Sequence, residues 1–110
     1  MDIVKAKMVF WVLQEEAKTP LDFSNCMDYF INETERAIFT KDDDDVILWQ
    51  MFLDECITEA QENEDDFLNG FIMALWMLCH KRIYGVDNEE LERSISLTLK
   101  RYEIRHHDVL

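Results

Sequence analysis

Apolar residues recur along this chain at intervals of three and four, in five stretches separated by short polar breaks. The first, over residues 3–17, is apolar nearly all round: Ile3, Val4, Ala6, Met8, Val9, Phe10, Trp11, Val12 and Leu13. A helix with so wide an apolar surface is central or sits at a subunit contact. Met8–Leu13 alone is short enough for a buried strand, but the Gln14-Glu15-Glu16-Ala17-Lys18 continuation favours helix. Thr19-Pro20-Leu21-Asp22 marks the next start: Thr19 can cap, Pro20 suits the first helical position, and Asp22 stands near the positive end of the dipole. This second helix is predicted over 20–39, with Phe23, Cys26, Met27, Phe30 and Ile31 inward and Asp28, Glu33 and Glu35 outward.

Asp42–Asp45 opens a third helix, predicted over 43–63. At 100° per residue, Trp49, Phe52, Leu53, Cys56, Ile57 and Ala60 gather on one side of it. Asp54, Glu55, Glu59 and Glu62 fall on the other, with Ile47, Met51 and Thr58 among them. The fourth helix, predicted over 65–84, has little polar face: Phe67, Leu68, Phe71, Ile72, Leu75, Trp76, Leu78 and Cys79. Lys81 and Arg82 suit its negative pole, and Gly85 is the expected residue after its end. Asp87, with Glu90 three residues on, caps a fifth segment predicted over 88–104, continued by Leu91, Ile95, Thr98, Leu99 and Tyr102. Ser94–Leu99 also alternates as a strand would, so helix and strand compete there.

Composition narrows the class to an all-α single-domain bundle of about five helices. The chain has 110 residues, 48% of them hydrophobic, which suffices for one packed core. Two Gly and one Pro are too few for the frequent turns of a sandwich or barrel. No apolar run nears the ~20 residues of a membrane span, and Met1–Leu13 lacks the cleavage site of a signal peptide. Cys26, Cys56 and Cys79 are odd in number, widely spaced and set among apolar residues, which suggests reduced core thiols and a cytoplasmic setting. The Asn32-Glu33-Thr34 triplet matches a glycosylation sequon but falls inside a helix.

Charge changes the picture more. The formal net charge is −13, and residues 41–66 hold eleven carboxylates against the single base Lys41. So much negative charge disfavours direct contact with nucleic acid or an anionic membrane. It favours a basic protein, including an enzyme whose own groove binds nucleic acid. The candidate surface comprises Asp42, Asp43, Asp44, Asp45, Asp54, Glu55, Glu59, Glu62, Asp65 and Asp66, with Ile47 and Met51 as apolar contacts. Glu55, Glu59 and Glu62 step by about 6 and 4.5 Å along a helix, comparable with the roughly 3.4 Å between phosphates on one DNA strand. Exposed Ile47 and Met51 have no use in phosphate mimicry and suit a protein contact instead.

Recognisable reaction chemistry is missing. An EF-hand register starting at Asp42 puts Ile47 where Gly belongs and Leu53 where Glu belongs, and one starting at Asp44 puts Val46 at a ligand position. Glu103-Ile104-Arg105-His106 is a lone Glu-x-x-His, where a di-iron helical site needs two. Glu15-Glu16 and Glu89-Glu90 lack the third Glu that magnesium-dependent nucleotide pyrophosphohydrolases require. Neither a catalytic residue nor a metal or cofactor is therefore assigned.

In composition and build the chain resembles small acidic helical proteins that neutralise basic enzymes, such as bacteriocin immunity proteins and phage-encoded anti-defence inhibitors. That resemblance implies a non-catalytic inhibitor of a basic or nucleic-acid-binding protein. One alternative is a homo-oligomeric adaptor or regulatory subunit. In that reading a two-fold homodimer buries the first helix through Phe10 and Trp11, as against a first helix enclosed by three neighbours. The other is a metal-dependent hydrolase using clustered carboxylates.

Overall fold

The computed structural model describes residues 2–16, 19–40, 42–85, 87, 89–94, 96, 97 and 100. Every regular element among them is helical, and the Cα radius of gyration, 13.4 Å, matches the ~13 Å of one packed unit of this length. Helix α1 spans Ile3–Trp11 and runs on into a π-helical turn at Val12–Glu16. Helices α2 (Pro20–Ile38), α3 (Asp43–Glu62) and α4 (Asp66–Ile83) follow. Beyond them, residues 89–94, 96 and 97 are helical, which favours helix over strand there. The expectations for Ala17, Lys41, Ile95, Thr98, Leu99, Tyr102, Glu103 and His106 fall outside the described residues.

Each start is closed by a side chain accepting a first-turn N–H. Asp2 accepts from Lys5, Thr19 from Asp22, Asp42 from Asp44, Asp65 from Leu68 and Asp87 from Glu90, at 2.9–3.1 Å. These bonds satisfy donors that a helix leaves unpaired. At the end of α4, Gly85 takes φ +86°, the left-handed conformation that a residue without Cβ adopts freely.

Contacts fix an up-down-up-down order. Phe30 and Thr34 of α2 meet Trp49 of α3, while Phe23 meets Phe67 at the first turn of α4 and Arg82 reaches the Ile38 carbonyl at the far end. Helix α2 therefore runs antiparallel to α3 and parallel to α4. Aromatic rings fill the middle: Phe30 stacks on Phe52 (6.2 Å, 3°), meets Phe10 edge-on (6.0 Å, 78°), and lies 5.9 Å from Trp49.

The first helix differs from expectation. It lies against α2 and α3, with Ala6, Phe10 and Leu13 buried in the shared core. Phe10, expected at a subunit contact, is 3% exposed and belongs to the aromatic core. The outward stripe is instead Val4, Met8 and Trp11, at intervals of four and three. A helix apolar all round does not specify which side faces in, and Phe30 decides it by taking the Phe10 ring.

Candidate functional site

Helix α3 points Trp49, Phe52, Leu53, Cys56 and Ala60 inward, as its periodicity predicts, together with Val46, while Ile57 is half-buried. Its outer side has two parts. Ile47, Leu48 and Met51 are exposed near the start (42%, 51% and 61%), and Asp54, Glu55, Glu59 and Glu62 are exposed beyond them. Among the described residues, no cation stands within ion-pair distance of those four carboxylates. Leu48, which the sequence pattern does not mark, extends the apolar patch that Ile47 and Met51 begin.

The acidic residues do not form one continuous face. Asp42 and Asp65 each turn a carboxylate oxygen back to their own helix as caps. Asp43 is paired with Arg82 at 2.9 Å, although it stays 74% exposed. That guanidinium also donates to the carbonyls of Ile38 (3.0 Å) and Thr40 (3.2 Å), so it ties the α2–α3 connection to the end of α4. Asp45 lies half-buried in a cleft with Asp2, Lys5, Glu33 and Arg36, away from the outer side. Asp44 remains exposed at the start of α3, and Asp66 at the start of α4. Asp44 and Asp54 are about 15 Å apart along the axis at 1.5 Å per residue. That separation exceeds the ~8 Å Debye length at physiological salt, so the two groups of carboxylates act as separate patches with apolar side chains between them.

Two grooves flank α3. One, of about 250 Å³, lies toward α1 and brings Lys7, Trp11 and Gln14 alongside Glu55 and Glu59. The other, of about 400 Å³, lies toward α4 and is walled by Ile47, Met51 and Asp54 on one side and by Trp76, His80 and Tyr84 on the other. In that wall His80 stacks on Trp76 (5.2 Å, 17°) and packs against Tyr84 (4.4 Å). Trp76 is half-buried rather than enclosed, and Met73 and Met77 are exposed beside it. The near-continuous apolar pattern of α4 concealed this outer face.

The thiols are suited to packing rather than nucleophilic work. Burial pushes Cys79 up to about 12; it also raises Cys56, with Glu59 and Glu55 adding to the effect, and raises Cys26, where Asp22 contributes. A thiol held protonated at neutral pH is a poor nucleophile. Among the described residues, no three His, Cys, Asp or Glu side chains gather closely enough to hold a metal ion, and no helix is long and apolar enough to cross a membrane. Compared with protein-family models, with curated proteins and with solved structures, the chain matches none.

Proposed function

We propose that this chain is a non-catalytic binding protein that engages a basic protein, including one that itself binds nucleic acid, and blocks it through the outer side of α3. The observation that carries the reading is the combination on that side. Asp54, Glu55, Glu59 and Glu62 are exposed with no cation within ion-pair distance among the described residues, next to exposed Ile47, Leu48 and Met51. The carboxylates supply long-range attraction and a fast encounter; the apolar patch supplies short-range packing once water is displaced. A surface that served only solubility would not need three large apolar side chains set between its charges.

The test compares the parent chain with Glu55→Lys/Glu59→Lys as bait in lysate of the source cells, at low and physiological salt. The expected catch is a basic protein, held at low salt, released as salt rises, and lost to the double variant while its helical circular dichroism is unchanged. A catch of equal strength and salt response with the charge-reversed bait overturns the reading.

A second reading rests on Val4, Met8 and Trp11, which line the outer side of α1. Lys5 and Lys7 lie toward one end of the first helix, and Glu15 and Glu16 toward the other. Antiparallel two-fold pairing would set the basic end of each copy opposite the acidic end of its mate.

A further inference from the structure

Helices α3 and α4 run antiparallel across the short turn at residues 63–65, so their outer sides form one surface with a groove between them. Each wall contributes side chains one helical turn apart: apolar Ile47 and Met51 from α3, and the rings of Trp76, His80 and Tyr84 from α4 and its C-cap. Met73 and Met77 carry the apolar surface outward over α4. From Met73 to Tyr84 this strip is about 16 Å long, the reach of three turns of a docked helix with anchors at i, i+3 or i+4, and i+7. Methionine side chains are unbranched and polarisable, so a surface built on them adapts to differently shaped anchors.

We propose that this groove receives a basic amphipathic helix of the protein partner. Its apolar stripe rests on Met51, Trp76 and Tyr84 and a cation faces Asp54 in the groove wall, while Glu55 and Glu59, on the α1 flank of α3, attract it at longer range. The inference rests on the reading of α3 as the binding side and names what that side holds. Charge selects the occupant. Asp54 is the carboxylate in the groove wall, no Lys or Arg lines it among the described residues, and the one nearby guanidinium, Arg82, is taken by Asp43 and two carbonyls. A second copy of a chain with net charge −13 would bring like charge to this surface.

The test uses the full chain and two fluorescein-labelled peptides of about 18 residues, or five helical turns. One is a Lys/Leu amphipathic helix; the other is its scramble, with equal charge and no apolar face. Anisotropy is read at low and physiological salt. The amphipathic peptide is expected to bind about tenfold or more tightly than the scramble, and Met51→Ser/Tyr84→Ser to remove about that tenfold preference with unchanged circular dichroism. Equal binding of the two peptides, weakened by Glu55→Lys/Glu59→Lys, overturns the groove and leaves the acidic reading standing. Failure of both peptides to bind at low salt overturns both. A dimer in sedimentation that Met51→Ser/Tyr84→Ser abolishes would assign the groove to a second copy and overturn the proposal.

Discussion

Trp49 is the largest side chain that the protein buries completely, and its indole N–H donates to the Thr34 hydroxyl at 2.9 Å. Thr34 donates in turn to the Phe30 carbonyl at 2.8 Å, and it is the buried polar residue of the described core. Replacing it by Val keeps the shape and leaves the indole donor unpaired out of reach of water. Thr34→Val is expected to lower unfolding stability by about 1–3 kcal/mol in urea titration. In a Trp49→Phe background the same change should cost much less, because no donor is stranded. An equal loss in both backgrounds would show that the bond is not the cause. The sequence marks Thr34 only as part of a sequon triplet. Its partner lies on the next helix, fifteen residues on, and no local pattern encodes which hydroxyl meets which indole.

At the scale of elements, the local signals were largely legible. Thr19-Pro20 and Asp42 mark starts, and Gly85 marks an end, through backbone chemistry that depends on a few neighbouring residues. The π-helical turn after Trp11 carried no such signal, and it shortens the α-helix expected through Ala17. The α3–α4 turn carries another departure. Glu64 sits at φ 55° in the position usually given to glycine, while Glu64 N–H donates to the Gln61 carbonyl (3.1 Å) and Asp65 N–H to the Ala60 carbonyl (2.9 Å). A side chain in the left-handed region costs roughly 1–2 kcal/mol, partly offset by the unfolded freedom that Gly would add. Glu64→Gly is therefore expected to raise stability by about 0.5–1 kcal/mol. It should move the urea midpoint up without changing the slope. Glu64→Ala, which removes the charge but keeps a Cβ, serves as the control. A gain from Ala as large as that from Gly would assign the effect to charge instead.

For the whole molecule, the number and order of helices followed from period and caps, whereas which apolar face turned inward on α1 and α4 did not. Both helices are apolar nearly all round, so inward direction is set by fit between neighbours. Phe10 goes to Phe30, and α4 commits Leu68, Phe71, Ile72, Leu75, Leu78 and Cys79 to the core, leaving its methionines outside. The acid side of α3 was legible because one face of that helix is apolar and the other charged. The division of its carboxylates into caps, an Arg82 pair and an unpaired row was not, since it depends on long-range contacts. The stripe on α1 carries its own expectation. If a second copy covers it, sedimentation gives a salt-insensitive dimer that Trp11→Ala converts to monomer. A parent chain that stays monomeric at its highest soluble concentration removes that reading.

The three indoles occupy three settings: Trp49 enclosed, Trp11 on the outer stripe of α1, and Trp76 in the groove wall of α4. Their intrinsic emission therefore divides by location. Trp49 reports loss of the interior, Trp11 reports docking on one flank, and Trp76 reports docking on the other. Single-tryptophan versions, with Phe at the remaining two positions, would turn the protein into its own spectroscopic map of where a ligand lands, with no label attached.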